Sequence, residues 1–599
     1  MFNRFSLVIV VGIAAFLRFY DLDRAGLGNL FYAATVRSMI ESAHNFFFVA
    51  YDPFGSFMVD KPPLALWIQA SMAKVIGFGG DAMLFPMAFS GTLAVVLTFF
   101  AARFFLGSKF ALLAALILAI FPESVATSRD STMDSMMMVF LLASTIAAQI
   151  AVRNKSRMWL ITCAFLMGLV FNIKFIEGFV AIPAFVALLI VGWPSLFKSH
   201  FKTLVLSLFV FSFISLAWIT SVDLVNRESR PVVMNDTNNS AYSLVWNYNG
   251  LDRVLHRTIP IFQPANGGTG NNPTVPVFGI GDAGPFRLVS GLNAPLMGTT
   301  IALAFLGVFL ALRRAFRPKP FALFWAIWGI SGFLLFSFSN RAAAHYTESY
   351  APALAVLAAA GAAWLLTTGS RAGQLIRIFI IGAIAFYSQF VFDSFLPLAT
   401  PTLIVAVLAL VSSLCASAFI LINSSKNLTR LLIALATFCL IAIPAIPSWW
   451  IAFEAPRGHV IAPPNPLIQA KDEGKFSLYP SSDAEQLISF ASAESKTPYV
   501  IGVDGFNRAG EFFSMYGEPA LPIWGEYTRE ALFSPSELTK LIADGEVRFL
   551  LIDSRRNSKL LGELGTWIRH NCSDVTRLAI EKRGRNSLYD CNGVTLEKS

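Results

Sequence analysis

Val59-Asp60-Lys61-Pro62-Pro63 sets a carboxylate and an ammonium side by side on backbone stiffened by two prolines. Proline fixes its own φ and keeps the preceding residue out of the helical region, so Lys61 is predicted extended and the Asp60–Lys61 pair rigid. A plainer reading also fits: proline is common in the first helical turn and Asp favours a helix N-terminus, so the stretch could simply open a helix. The surroundings decide the fold. Apolar runs lie on either side, at 5–20 and 82–102, and the stretch falls in the loop 21–81 between them.

Such runs recur as far as Trp450. The 599 residues are 55% hydrophobic and 14% charged, with mean hydropathy +0.61, less charge than a soluble enzyme of this size carries. Runs long enough to cross a bilayer number about 13: near 5–20, 82–102, 110–127, 134–151, 158–172, 178–193, 203–222, 295–312, 321–338, 349–366, 376–396, 401–422 and 430–447. Alternate connections are short and basic, carrying Arg103 and Lys109; Arg153, Lys155 and Arg157; Lys198 and Lys202; Arg313, Arg314, Arg317 and Lys319; Arg371 and Arg377; Lys426 and Arg430. By the positive-inside rule these and Asn3-Arg4 are cytoplasmic. The loops 21–81 and 223–294, and the chain beyond Ser448, then face outward. The net charge of +9 comes from these connections, and nucleic-acid binding is not implied. No small-residue cleavage site follows the first run, which reads as a retained span. The expectation is a mainly α, multi-pass protein of the plasma (inner) membrane.

Residues 1–450 form the membrane domain in this reading, and 451–599 an outward accessory domain. There, Tyr499-Val500-Ile501-Gly502-Val503 and Arg548-Phe549-Leu550-Leu551-Ile552-Asp553 read as buried strands, and Ser534-Pro535 as a helix start. A small α/β cap over the membrane site is expected. Cys572 and Cys591 fall in it, and an oxidising compartment permits a disulfide, although spacing alone cannot show that they meet. Cys163, Cys415 and Cys439 read as packing residues.

The outward loops hold the chemistry. In the first, Tyr32, Val36, Met39, Ile40 and Ala43 recur at helical spacing, predicting an amphipathic helix on the membrane surface. Phe46-Phe47-Phe48 reads as an interfacial anchor. The second is Ser128-Arg129-Asp130-Ser131-Thr132-Met133-Asp134. One acid there could be a helix cap, but hardly both, and charge at membrane depth marks function. Lys174 and Glu177 share the third turn and could simply pair. In 223–294, Asn235-Asp236-Thr237-Asn238-Asn239-Ser240 and Asn247-Tyr248-Asn249-Gly250 could bind sugar hydroxyls, and the two glycosylation-type triplets in the first carry little weight. The Gly/Asn/Pro-rich 263–285 reads as a flexible loop or lid. His345 is a weak candidate for sugar contact. No His/Cys/Asp/Glu cluster has metal-ligand spacing.

These residues carry a resemblance. Asp60-Lys61-Pro62-Pro63 ending a charged first loop, then Arg129 and Asp134, then Lys174, on about 13 spans, resembles the membrane-embedded C-type (GT-C) glycosyltransferases. Within them it resembles the superfamily of protein mannosyltransferases and lipid A aminoarabinose transferases. Asn45-Phe46-Phe47-Phe48, Thr237-Asn238-Asn239-Ser240 and Tyr248-Asn249-Gly250-Leu251 look like a bacterial branch named for mannosyl transfer. The resemblance implies sugar transfer from a polyprenyl-phosphate donor at the outer face, with no nucleotide sugar and no implied cofactor. The acid-Lys-Pro-Pro pair would lie at the donor phosphate, Asp134 would be an active-site aspartate, and Lys174 would match the lysine of the fifth-to-sixth span turn. Many relatives carry Asp-Glu early in the first loop, with that Asp as base, where this chain has Gly28-Asn29. Asp60, Asp134, Asp52 and Asp23 remain as bases, and an already nucleophilic acceptor would need a weaker one.

The reaction sets the roles. Lys61 and Arg129, with Lys174, would neutralise the leaving phosphate. Asp60 or Asp134 would accept the acceptor's proton. Asn238, Asn239, Asn249 and His345 would hold the sugar. Direct attack would invert the anomeric carbon. The acceptor could be a lipid, a cell-envelope glycan or a protein. A transporter or flippase of lipid-linked sugars is the alternative; it favours internal repeats and midplane charges, whereas these charges cluster at the outward boundary.

Overall fold

The computed structural model describes residues 2–234, 236, 238–251, 283–290, 293–313, 319–339, 343–367, 369–393, 396–422, 425–454, 483–525, 531–553, 558–580 and 586–594. Most of the Gly/Asn/Pro-rich 263–285 segment, Arg314 and Arg317, Asn235, Thr237, and Asn340-Arg341 fall outside them. Nine helical runs among the described residues are long and apolar enough to cross a membrane. The difference from the thirteen expected has two physical sources. Two pairs of expected spans are each one continuous apolar run, Gly80–Ala119 and Arg157–Gly192, while the runs at 5–20 and 349–366 form shorter helices, Phe5–Phe19 and Ala351–Leu365. A straight 40-residue helix would measure about 60 Å, twice the apolar thickness of a bilayer. The Gly80–Ala119 run is instead broken at Gly107, where φ is 69°. That break lies between Arg103 and Lys109, where the sequence places a short basic connection.

The helices that build the site come from the first third of the chain. They are α1 (Phe2–Phe19), α2 (Leu30–Met39), α3 (Ala43–Phe48), α4 (Pro63–Ile76), α5 (Gly80–Ala119), α6 (Pro122–Ser128), α7 (Asp134–Asn154) and α8 (Arg157–Lys174). Buried Arg18, at the end of α1, ties this corner together. Its guanidinium donates to the carbonyls of Ala14, Leu118 and Ala119 and to the hydroxyls of Ser124 and Ser128.

One expectation for the first loop is corrected. The helix over 30–39 forms, capped by the Asn29 side chain on the Phe31 amide. It does not lie on the membrane surface: Leu30, Tyr32–Val36, Ser38 and Met39 are all buried, between α4 and the C-terminal α/β unit. In the phenylalanine triplet Phe48 is buried, while Phe46 and Phe47 are half-buried. Phe46 stacks on Trp67 at 5.8 Å, and the Trp67 and Trp218 indoles donate to the carbonyls of Phe46 and Phe47.

The C-terminal region forms the expected α/β layer. A five-stranded mixed sheet has the order β4-β3-β5-β7-β6, with β3 (Tyr499–Val503), β4 (Ala520–Pro522), β5 (Val547–Asp553), β6 (Ser573–Asp574) and β7 (Asn586–Asp590). β3, β4 and β5 run parallel, and β7 lies antiparallel to β5. Ser534 caps the helix Pro535–Ala543 in a capping box with Glu537. Cys572 and Cys591 form a disulfide. This unit packs on the first loop. The Tyr499 hydroxyl donates to Asp52 Oδ2 at 3.0 Å, Tyr51 donates to the Phe506 carbonyl, and Arg37 lies between the rings of Phe78 and Phe513 while donating to the Ser514 carbonyl. Within the membrane part, a two-residue parallel ladder joins β1 (Phe57–Met58) to β2 (Val232–Val233). It holds the chain immediately before Asp60.

Candidate active site

The backbone bends at Asp60–Lys61. Pro62 is extended (φ −73°, ψ 163°) and Pro63 opens α4, so the plainer reading of the stretch as a helix start holds, while Lys61 itself lies on the bend. Asp60 and Lys61 are buried, and Lys61 Nζ donates to Asp60 Oδ1 at 2.8 Å. Asn249 Nδ2 donates to the Asp60 carbonyl at 3.2 Å, tying loop 223–294 to the motif.

Asp134 is the first residue of α7 but caps nothing. Its carboxylate meets Lys174 Nζ at 3.1 Å, with both side chains almost fully enclosed. Asp130 takes the local turn role instead, accepting from the Thr132 amide at 3.0 Å. Burial pushes the Asp130 carboxyl up to about 7. Lys174 ends α8, and the next residue, Phe175, has φ 50°. That left-handed step starts a 3₁₀ turn, Phe175–Ala181, which brings Glu177 back to 3.5 Å from Lys174. The expected Lys174–Glu177 pair therefore exists, but Lys174 bridges two carboxylates, and its ammonium also lies 5.2 Å from the centre of the Tyr346 ring.

These pieces meet at one cavity of about 120 Å³. Lys61, Lys174, Glu177, Asn249, Tyr346 and Ser339 give it a polar side, and Ile176, Leu335 and Phe336 an apolar wall. Of the residues proposed from sequence, Lys61, Lys174 and Asn249 line it. Asp60 and Asp134 stand behind the two lysines. His345 is buried next to Tyr346, within Coulombic reach of Asp134, and does not line the cavity.

Three proposed residues are placed elsewhere. Arg129 is not at the cavity. Its guanidinium donates to the carbonyls of Leu17, Arg18, Tyr20, Asp21 and Ala452, fastening the end of α1 to the helix Ala445–Phe453. Burial lowers its pKa to about 10. An arginine whose donors are committed to carbonyls has little left for a phosphate. Asn238 and Asn239 shape their own turn: Asn238 Nδ2 donates to Ser243 Oγ, and Asn239 Oδ1 accepts from the Val233 amide. Asp52, one of the open alternatives for the base, accepts from the Phe54 and Phe57 amides and the Tyr499 hydroxyl.

Gly28-Asn29 has a structural explanation. Gly28 has φ +67°, and a Cβ there would come within 2.7 Å of Ser131 Oγ and 2.9 Å of the Ser131 amide nitrogen. Asn29 donates its amide to Ser131 Oγ while its side chain caps α2. Sequence reasoning underrated Glu177 and Tyr346 as cavity residues and missed buried Glu123 and Glu348. Glu348 accepts from Ser124 Oγ, which itself accepts from Arg18. Burial is the main force pushing Glu348 up to about 8. Among the described residues no group of three His, Cys, Asp or Glu side chains is arranged to hold a metal.

The family described as dolichyl-phosphate-mannose-protein mannosyltransferase matches residues 60–218, a stretch that begins at Asp60 and includes Arg129, Asp134, Lys174 and Glu177. The Bacillus subtilis protein named "Putative mannosyltransferase YycA" is 25% identical over 95% of this chain and 94% of its own. A second from that organism, "Putative mannosyltransferase YkcB", is 31% identical over 41% of this chain and 35% of its own. Among solved structures, ArnT from Cupriavidus metallidurans, bound to undecaprenyl phosphate, superimposes with a TM-score of 0.60 at 17% identity over 98% of both chains. The Archaeoglobus fulgidus oligosaccharyltransferase AglB, in complex with an inhibitory peptide and a dolichol-phosphate, gives 0.50 at 14% identity, covering 92% of this chain and 69% of its own. The chain thus shares its fold with ArnT over nearly its whole length, and in sequence it is similar to proteins named for mannosyl transfer, with the family match falling on its charged loops.

Proposed function

We propose that the protein moves a sugar from a polyprenyl-phosphate donor to an extracytoplasmic acceptor, which is a lipid, an envelope glycan or a protein. The observation that carries the reading is the pairing of Lys61 and Lys174 on one small cavity beside the apolar wall of Ile176, Leu335 and Phe336. A lipid-linked sugar phosphate has those two halves: an anion and a hydrocarbon tail. The ArnT structure that shares the fold was solved with undecaprenyl phosphate, and the AglB structure with a dolichol-phosphate. Both are consistent with this donor class.

In this reading the two ammonium groups face the donor phosphate and stabilise the charge that develops as its bond to the anomeric carbon breaks. Asp60 and Asp134 hold those ammonium groups in place. A buried ion pair gives geometric definition more reliably than net stability. Asn249 joins the sugar side while fixing the Asp60 backbone. Direct attack by the acceptor from the opposite face inverts the anomeric centre. The basic connections put the N-terminus in the cytoplasm of a bacterial cell and this cavity at the outer face of its inner membrane.

The test is transfer by purified full-length protein in detergent, from a panel of radiolabelled polyprenyl-phosphate sugars to a membrane extract. Wild type is expected to label a new product, and Lys61→Ala to lower the rate per folded molecule by ~100-fold or more, with a lower melting temperature because buried Asp60 loses its ammonium. Equal transfer by Lys61→Ala would remove this cavity as the site. Donor movement across liposomes without transfer would favour a transporter.

A further inference from the structure

We propose that Glu177 is the catalytic base that takes the proton from the acceptor. The inference rests on the glycosyl-transfer reading above and assigns the step that reading leaves open. A base must reach the space where donor and acceptor meet. Asp60 and Asp134 do not: their side chains are 5% and 0% exposed, and each sits behind the lysine it pairs with. Glu177 lines the cavity together with those lysines and has an 11% exposed side chain. Among the described lining residues it is the acidic one.

Its placement is built into the backbone. The left-handed step at Phe175 turns the chain so that Glu177 follows Lys174 onto the same wall. Lys174 then fixes the carboxylate from 3.5 Å while it also meets Asp134 at 3.1 Å. The same ammonium thus orients the base and faces the phosphate.

The step balances. The acceptor oxygen forms a bond to the anomeric carbon as its proton passes to the Glu177 carboxylate. The bond from that carbon to the phosphate oxygen breaks, and the electron pair leaves with the lipid phosphate. The phosphate gains one negative charge beside Lys61 and Lys174, and the protonated Glu177 later releases its proton to water. No oxidant or further reactant is needed.

The experiment compares wild type, Glu177→Gln and Glu177→Asp as full-length protein, measuring kcat, donor KM and the pH dependence of kcat, with melting temperature as the control for folding. Glu177→Gln is expected to lower kcat by ~100-fold or more, to leave donor KM within about threefold, and to abolish the acid limb of the pH profile. Glu177→Asp should restore part of kcat and that limb. Wild-type kcat in Glu177→Gln, or a loss confined to donor KM, overturns the base assignment and leaves the transfer reading standing. Absence of transfer by wild type from every donor overturns both.

Discussion

Arg129 shows how far a residue type can mislead. In the sequence it is a cation among acids at a membrane boundary, and arginine is the usual choice for gripping phosphate. In the fold its donors are committed to five carbonyls, from the end of α1, the turn after it and the helix Ala445–Phe453. Arg129→Ala should therefore cost ~1–3 kcal/mol of stability through orphaned buried carbonyls, while the folded fraction keeps wild-type donor KM. Thermal melts beside donor titrations separate the two effects, and a selective rise in donor KM would return Arg129 to the site. Lys61, Asp134 and Lys174 stand out in the sequence because charge at membrane depth has few structural uses, and in the fold Lys61 and Lys174 line one cavity. Glu177 was less so: a Lys and a Glu three residues apart are most simply each other's partner, and the geometry of Phe175 is invisible in a list of residues.

Whole elements were easier to read than their surroundings. The apolar runs, the two parallel strands and the Ser534 cap follow from period and composition, which are local. The break at Gly107, the burial of α2 and the burial of Phe48 depend on what the rest of the chain brings against them. The Arg18–Ser124–Glu348 link is the clearest case, since it joins three segments far apart in sequence. Glu348 has a pH signature. Its carboxyl, ordinarily near 4.5, is raised to about 8 in the fold, so the native state keeps a proton that the unfolded chain gives up. Stability contributed this way is complete below the unfolded value and is lost as pH rises towards 8. Glu348→Gln, permanently neutral, should flatten the fall in melting temperature between pH 5 and 8. An identical slope in the variant would show that Glu348 does not carry it.

At the scale of the molecule, the α/β unit and the first loop behave as one piece. A Cβ on Gly510 would lie 2.8 Å from the Tyr51 hydroxyl and 3.1 Å from the Leu30 carbonyl, a spacing that tolerates no added atom without movement. Gly510→Ala should lower both the melting temperature and transfer, and Tyr51→Phe in the same chain should recover part of each. Strictly additive losses in the double variant would mean that the two residues do not share this contact. The contact also fixes an order of events in biosynthesis. Asp52 and Tyr499 are 447 positions apart, so the loop leading to Asp60 emerges from the ribosome long before its partner strand exists. Chains that stop short of β3 carry the lysines but lack the surface that seats the loop before Asp60.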